Sequence, residues 1–459
     1  MKIALVTPPT NEHPITRDMA GGLGFDRDSA MLLPPLDFLY AASQLRNEHQ
    51  EVLLIDGDHT SQFQGQLQKN LEKFAPDIVL VMVSLPTLKS DCAFAKGIRG
   101  AFACQVAIRT GISHPPVWEE ILNKSRANFL VFGECEIRIG EILSGKFKAG
   151  TAWIERNKLH WQTGINISQL DSLPLPDWGL LGKLTEYRYP LLGNGVVTLQ
   201  TSRGCPFPCS FYCPYPLVQG HEWRAMTSDR MFSEVCNVFQ YGISRILFRD
   251  AVFTYDRNRT IEFCEKVIHE HLPIFWWCES RADRLDEDLL RIMKNAGCLG
   301  INVGVESGDA KVRQKLGKAG LRLPHLKKLL STAKRTGLKI HLLFMAGLPE
   351  ENRKSLYLTY SLIKKLHPDT YNITLVTPYP GTPLFFEAQS RRVLPELMEW
   401  NQFGGNSSVI PTKFLSKQEL VFGKRWIDRL LRFRYSPNPI RRILSLAGEL
   451  YFSQWVHVK

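Results

Sequence analysis

Apolar runs of four to seven residues recur along this chain, separated by stretches whose apolar positions repeat near every 3.6 residues. In the first 145 residues KIALVT (2–7), EVLLID (51–56), IVLVMVS (78–84), QVAIRT (105–110) and FLVFG (129–133) read as strands. PPLDFLYAASQL (34–45) and the patterns over 61–74, 89–102 and 116–125 read as helices. Strands that are apolar throughout and alternate with helices predict a parallel sheet covered on both faces. Residues 1–145 are therefore expected to form a Rossmann-like, doubly wound α/β domain, with its ligand beyond the C-terminal strand ends.

Residues 146–190, which include LDSLPLPDWGLL, read as a proline-punctuated linker. The alternation then restarts with VVTLQ (196–200), RILF (245–248), IFWWC (274–278), GINV (300–303), KIHLLF (339–344) and NITL (372–375). Helical patterns at 228–240, 258–269, 286–296, 324–336 and 354–366 lie between them. Six βα units over 191–385 fall short of an eightfold barrel and predict a partial, open (βα)6 barrel. Residues 386–459 turn helical and basic, with no further strand.

The 459 residues, 44% hydrophobic and 22% charged, suffice for two or three packed domains of roughly 150 residues each. No run approaches the 18 or more apolar residues of a membrane span. Met1 is followed directly by a strand pattern rather than a long apolar leader, so a cytoplasmic protein is expected. The net charge of +12 permits nucleic acid, acidic substrates or an anionic membrane as partners. Half of that excess, however, lies between Lys424 and Arg442, where seven basic residues face one acid, Asp428. Two readings of this segment stand: a basic amphipathic helix on a membrane surface, or a helix that closes the open side of the barrel with its apolar side packed. The second is preferred, because its apolar residues suffice for one buried face.

The chemistry gathers at the strand ends of the second half, where βα barrels place it. The first strand runs into TSRGCPFPCSFYCPYP (201–216), with Cys205, Cys209 and Cys213 in a C-x3-C-x3-C spacing. The second ends in Arg249-Asp250, the third in Glu279, Ser280 and Arg281, and the fourth in GVESG with Glu306 and Ser307. AGLP (346–349) follows the fifth and TPYPGT (377–382) the sixth. Six such loops in phase read as one active site. The loop carries three cysteines and no fourth Cys or His, whereas structural zinc closes with four ligands. Three thiolates suit an iron–sulfur cube with one iron left open, with zinc and inert packing as the alternatives.

On these residues the chain resembles the radical SAM enzymes, whose cluster loop follows the first strand of a partial barrel and whose open iron is chelated by S-adenosylmethionine (SAM). Their usual spacing is C-x3-C-x2-C with an aromatic before the last Cys. Tyr212 precedes Cys213 here, but the loop is one residue longer. FRDAVFT, SRADRLDEDLL, AGCLGINVGVESG, FMAGLPEE and TPYPGTPL resemble segments of the subgroup with an N-terminal cobalamin domain. The resemblance implies a [4Fe-4S] cluster on Cys205, Cys209 and Cys213, and Tyr212 beside it. It implies Asp250 and Arg281 near the methionine end of SAM, and Glu306 and Ser307 near its ribose and carboxylate. The backbone around Gly347 would border the adenine.

The N-terminal half resembles the same subgroup through LPPLDFLYAASQLRNEHQEVLLIDGD and FLVFGECE. The rival is a dinucleotide site, yet no G-x-G-x-x-G follows the first strand. Ser84, Thr87, Gly111, Gly133 and Glu134, at expected strand ends, are the candidates for the cobalamin tail and corrin edge. DGDHTSQFQG puts His59 one position away from a D-x-H-x-x-G ligand motif, so cobalt is expected to have no protein His as its lower ligand.

The implied activity is a cobalamin-dependent radical SAM methyltransferase. A 5′-deoxyadenosyl radical removes hydrogen from an unactivated carbon, and methylcobalamin supplies the methyl group. The alternatives are a cobalamin radical SAM enzyme that cyclises, oxidises or rearranges its substrate, a radical SAM enzyme that no longer uses cobalamin, and a non-catalytic nucleic-acid or membrane adaptor. The expected partners are a small-molecule or biosynthetic-intermediate substrate and an electron donor such as flavodoxin or ferredoxin, without nucleic acid.

Overall fold

The computed structural model describes residues 1–10, 15–17, 25–26, 31–58, 63–318 and 321–457. His59 lies outside the described residues. Contacts group the chain into two compact units. Unit 1 holds Met1–Pro206, Pro214–Cys278 and Asn295–Cys298; unit 2 holds Phe207–Cys213, Glu279–Lys294 and Leu299–Lys459.

Unit 1 begins with a seven-stranded sheet. Its strands are β1 (Lys2–Thr7), β2 (Glu51–Asp56), β3 (Ile78–Met82), β4 (Gln105–Arg109), β5 (Phe129–Val131), β6 (Thr151–Glu155) and β7 (Lys158–Gln162). Their order is β2-β1-β3-β4-β5-β6-β7, parallel through β5 and antiparallel beyond. Every residue of β3 is buried, as strands covered on both faces require. Helices α1 (Leu36–Asn47), α2 (Phe63–Phe74), α3 (Leu88–Ala101) and α4 (Pro115–Ser125) connect these strands. Because β1 leads to β2 on one side and to β3 on the other, the topological switch point lies between β1 and β3, where doubly wound sheets take ligands.

The segment read as a linker contributes β6 and β7, which extend the first sheet as a hairpin. Its turn residues Arg156 and Asn157 both have positive φ, +49° and +60°, the geometry of a tight hairpin connection. Short helical turns, loops and a small antiparallel ladder (Arg188–Tyr189 with Gly193–Asn194) then carry the chain to residue 196.

The second sheet comprises β8 (Val196–Leu199), β9 (Arg245–Phe248), β10 (Phe275–Ser280), β11 (Cys298–Glu306), β12 (Lys339–Ala346) and β13 (Thr370–Leu375). Its order follows the chain and leaves β8 and β13 unjoined, so the sheet is open. In unit 1, β8, β9 and β10 are parallel neighbours, with α5 (Ser228–Gln240) and α6 (Arg257–His269) between them in sequence. Thr227 and Asp256 cap these helices by accepting from the Arg230 and Arg259 amides. Phe248, Phe253, Phe263 and Trp276, all fully buried, stack edge to face or tilted with ring centroids 4.8 to 6.3 Å apart.

In unit 2, β11, β12 and β13 are parallel neighbours. Helices α7 (Glu287–Asn295), α8 (Leu323–Thr336) and α9 (Arg353–Leu366) accompany them, and α10 (Lys417–Arg434) and α11 (Pro439–His457) end the chain. Helix α10 starts at a capping box between Ser416 and Glu419. It buries Leu420, Ile427, Leu430 and Leu431 and packs on β13 and α9.

Candidate active site

In unit 1 the base of the cysteine loop is held by acidic and basic side chains. Asp250, fully buried at the end of β9, accepts from the Thr201 amide at 2.7 Å, and from the Thr201 and Ser202 hydroxyls at 2.7 Å each. Arg259 stands 3.6 Å from the same carboxylate and donates to the Thr201 carbonyl at 3.0 Å. Asp250 thus fixes the segment that leads to Cys205. Gly204 follows with φ +81°, and a Cβ there would stand 1.9 Å from the Glu222 carbonyl oxygen. Only glycine fits. Cys205 donates its amide to the Gly220 carbonyl at 3.2 Å.

Two arginines flank this turn, Arg203 before Gly204 and Arg224 on the short strand paired with Ser202–Arg203. Arg224 clamps Glu134 with two hydrogen bonds, 2.6 and 2.8 Å, while Arg203 bonds Glu136 at 2.8 Å and stands 3.5 Å from Glu134. All four are at least nine-tenths buried. Burial opposes each charge, yet the pairing with Glu136 and Glu134 outweighs it and raises the Arg203 pKa, and Arg203 in turn holds the Glu136 carboxyl below its ordinary range. Glu134, read from sequence as a cobalamin contact, therefore anchors the cysteine loop. The distant Arg224 claims both of its oxygens.

In unit 2 the loop continues as a single turn of 3-10 helix, Pro208–Phe211. The Tyr212 and Cys213 amides both donate to the Cys209 carbonyl at 3.2 Å, so Cys209 and Cys213 lie one helical turn apart. The Arg281 guanidinium lies 3.9 Å from the centroid of the Phe207 ring and pairs with Asp283 through bonds of 2.9 and 3.0 Å. Tyr212 donates to Glu306; burial first, and then the Glu306 charge, push its phenol well above the ordinary pKa. Lys318 pairs with Glu306 and also donates to the Gly304 carbonyl at 3.0 Å.

The GVESG motif is explained by these contacts. Glu306 ends β11 with φ +71°, at an irregularity in its pairing with β12, a left-handed conformation that costs a non-glycine residue roughly 1–3 kcal/mol. A Cβ on Gly304 would stand 2.6 Å from Glu306 Oε1 and 2.7 Å from Lys318 Nζ, and one on Gly308 would stand 2.2 Å from the Leu358 carbonyl oxygen in α9. Ser307 is fully buried and donates to Glu351 Oε1 at 3.0 Å. The other oxygen of Glu351 accepts from the Gly347 amide at 2.8 Å and the Leu348 amide at 3.2 Å. One buried carboxylate thus ties the turn after β11 to the turn after β12. Burial pushes Glu351 up to about 7, against the pull of those three donors. The Ser307 hydroxyl therefore points into this support. Glu351 and Lys318 were not foreseen; the one sits in an acidic loop motif and the other in an ordinary-looking basic stretch.

At the switch point in unit 1, Ser84 and Thr87 converge on an unforeseen pair. Arg17 makes two bonds of 2.9 Å to Asp91 and donates to the Ser84 hydroxyl at 2.6 Å, and the Thr87 hydroxyl donates to Asp91 at 2.6 Å. Ser84 is fully buried and Thr87 nearly so. Their side chains brace the loop after β3. Gly111, buried, follows β4; Gly133, with φ +68°, follows β5, and a Cβ there would stand 3.9 Å from the Cα of Gly164.

The Radical SAM superfamily profile matches residues 199–363, the span from the cysteine loop to α9. An uncharacterized methyltransferase of Pyrococcus horikoshii is 30% identical over 446 residues, which cover 95% of this chain and 92% of that one. The chain belongs to the radical SAM superfamily. A hopanoid C-3 methylase of Methylococcus capsulatus is 26% identical, over 83% of this chain and 73% of its own. Among solved structures, the radical SAM methyltransferase TsrM of Kitasatospora setae superposes with a TM-score of 0.67 at 15% identity, over 85% of this chain and 75% of that one. The cobalamin-dependent radical SAM enzyme OxsB superposes with a TM-score of 0.72 at 16% identity, over 98% of this chain and 71% of that one. These two likenesses show that the fold of both halves is shared.

The radical SAM loop offers a donor set that fits a cluster by its chemistry. Three thiols in nine residues, none in a disulfide, supply three soft ligands, as a cube with one open iron requires. Among the described residues, no three His, Cys, Asp or Glu side chains are drawn into a metal-sized group. Cys205 is buried, and Cys209 and Cys213 are half-buried. The other seven cysteines are scattered in sequence; Cys92 and Cys264 are fully buried, and burial raises their thiol pKa values. They are packing residues.

Proposed function

We propose that this radical SAM protein is a cobalamin-dependent methyltransferase that acts on an unactivated carbon of a small molecule or biosynthetic intermediate. The observation that carries this reading is the three-cysteine loop opening a partial barrel, joined in one chain to a doubly wound domain whose switch-point loop is braced from behind. Bound together, cluster, SAM and cobalamin supply reductive SAM cleavage and a transferable methyl group.

In this reading Cys205, Cys209 and Cys213 ligate the cluster. Glu306 accepts from the SAM ribose, its orientation set by Lys318 and Tyr212. Arg281, stacked on Phe207 of the loop, faces the methionine carboxylate. The backbone of Ala346–Leu348 borders the adenine and is held by Glu351, so Ser307 and Asp250 act as positioning residues. In the N-terminal domain the backbone near Ser84 and Thr87, with Gly111 and Gly133, borders the corrin and its tail, and no protein His ligates cobalt. The electron comes from flavodoxin or ferredoxin. Ten cysteines without a disulfide fit the reducing cytoplasm.

The test is anaerobic reconstitution with iron, sulfide and cobalamin, followed by incubation with methyl-labelled SAM and candidate substrates. Label entering a carbon of product supports the reading; cyclised or oxidised product without label refutes it. Replacing Cys205, Cys209 or Cys213 by Ala is expected to abolish iron–sulfur absorption and SAM cleavage, and Cys92→Ala or Cys264→Ala to leave both intact.

A further inference from the structure

The last helix, α11, is apolar on two opposite sides. One side packs: Ser445 and Phe452 are fully buried, and the helix lies on α10 and α9. The other side does not. Ile440, Ile443, Leu444, Leu446, Leu450 and Tyr451 are 53 to 69% exposed. At 100° per residue these six fall within an arc of about 160° on the side away from Phe452. Scattered exposed leucines need no explanation, but six large apolar side chains on one helix face form a contiguous patch of the kind that marks a contact surface.

Charge selects the occupant. Arg425, Arg429 and Arg432 on α10 and Arg441 and Arg442 on α11 are exposed and form no ion pair among the described residues. The three acids of the two helices are already engaged: Glu419 by Arg353, Asp428 by Lys424, and Glu449 by Lys364 and Arg434. The two helices thus offer five exposed guanidinium groups without an ion pair among the described residues, beside the apolar face of α11 in sequence. No helix among the described residues is long and apolar enough to cross a membrane.

We propose that α11 is an interfacial anchor, which lies in the headgroup region of an anionic bilayer with its exposed apolar face inserted and the neighbouring arginines on lipid phosphates. Of the basic segment, α10 packs against β13, and it is α11 that carries the proposed anchor.

The test is co-sedimentation of the full-length protein with phosphatidylglycerol–phosphatidylcholine vesicles and with phosphatidylcholine vesicles alone, at low and high salt. Two variants accompany it, Ile443→Ser with Leu450→Ser, and Arg441→Gln with Arg442→Gln. Both alter exposed side chains, and circular dichroism reports whether each folds. The wild type is expected to bind anionic vesicles and to weaken with salt. The apolar variant should bind at least about tenfold more weakly, and the arginine variant about fivefold more weakly for each charge removed. If the apolar variant does not fold, the arginine variant decides alone. A wild type that does not bind, or variants that bind equally well, would overturn the proposal. So would a wild-type dimer that the apolar variant turns monomeric without any vesicle binding, since a second copy would then cover the face. The readout needs no cofactor, so it stands apart from the methyltransferase reading.

Discussion

Glu351 carries a pH signature that can be worked out in advance. Its carboxyl is buried and pushed up to about 7 from an ordinary 4.5, because burial disfavours the charge more than the Gly347 amide, the Ser307 hydroxyl and the Leu348 amide restore it. A folded-state pKa above the unfolded value means that the native protein binds the extra proton. Its stabilising contribution is then complete below about pH 4.5 and is lost as the pH rises through 7. A shift of 4.5 to about 7 corresponds to about 3 kcal/mol between the two limits. Glu351→Gln has the same shape, keeps an acceptor for the two amides and does not titrate. The measurement is urea unfolding under reducing conditions from pH 5 to 8, with both proteins at each pH. Glu351→Gln is expected to gain on the wild type from pH 5 to about 7 and to level off above it, by about 2.5 kcal/mol in all. Two curves that run parallel would show that Glu351 titrates normally, and that the coupling of the two turns by a protonated carboxyl is wrong.

Gly304→Ala places a methyl group against both partners of the Glu306–Lys318 pair, so it is expected to weaken SAM binding at least tenfold with cluster content unchanged, as equilibrium dialysis with labelled SAM would show. Arg224→Met leaves the buried Glu134 carboxylate with Arg203 at 3.5 Å as its remaining cation, a loss on the order of 3–5 kcal/mol, visible in the unfolding midpoint and in reduced iron content. The cob(II)alamin form is expected to show no nitrogen superhyperfine splitting in electron paramagnetic resonance; splitting that disappears in His59→Ala would restore that residue as a ligand.

Local pattern made much of this fold legible. The eleven strands read from apolar runs all form, within a few residues of the expected bounds, because such runs are themselves the signal of a sheet covered on both faces. The hairpin β6–β7 was invisible because its strands, TAWIE and KLHWQ, lie at a solvated sheet edge and mix Thr, Trp, Glu and Lys. Its turn is Arg-Asn, which adopts the double left-handed conformation without the usual Asn-Gly signature. Likewise, periodicity misplaces the buried side of α11, because all its Ile and Leu residues lie on the exposed face while Ser445 and Phe452 lie on the packed one.

The site was legible in residue type and not in direction. Asp250, Ser307, Ser84, Thr87 and Glu134 were singled out as polar residues at strand ends, and each is turned toward a protein partner, four residues on for Thr87 and from elsewhere in the chain for the others. Asp250 reaches 49 residues back to Thr201, Glu134 reaches 90 forward to Arg224, and Ser307 reaches 44 forward to Glu351. A buried carboxylate or hydroxyl at a strand end must find hydrogen-bond partners there, whether or not a ligand also arrives. Polar residues at the rim of a parallel sheet therefore fall into two groups, those that meet the ligand and those that hold the loops that do. Glu306 and Arg281 differ from the second group in a visible way. Glu306 is held in a left-handed conformation by two neighbours, and Arg281 is stacked on the cluster loop itself. Strain and stacking of that kind do nothing for a capping residue, and they are the reason these two side chains are the ones proposed to meet SAM.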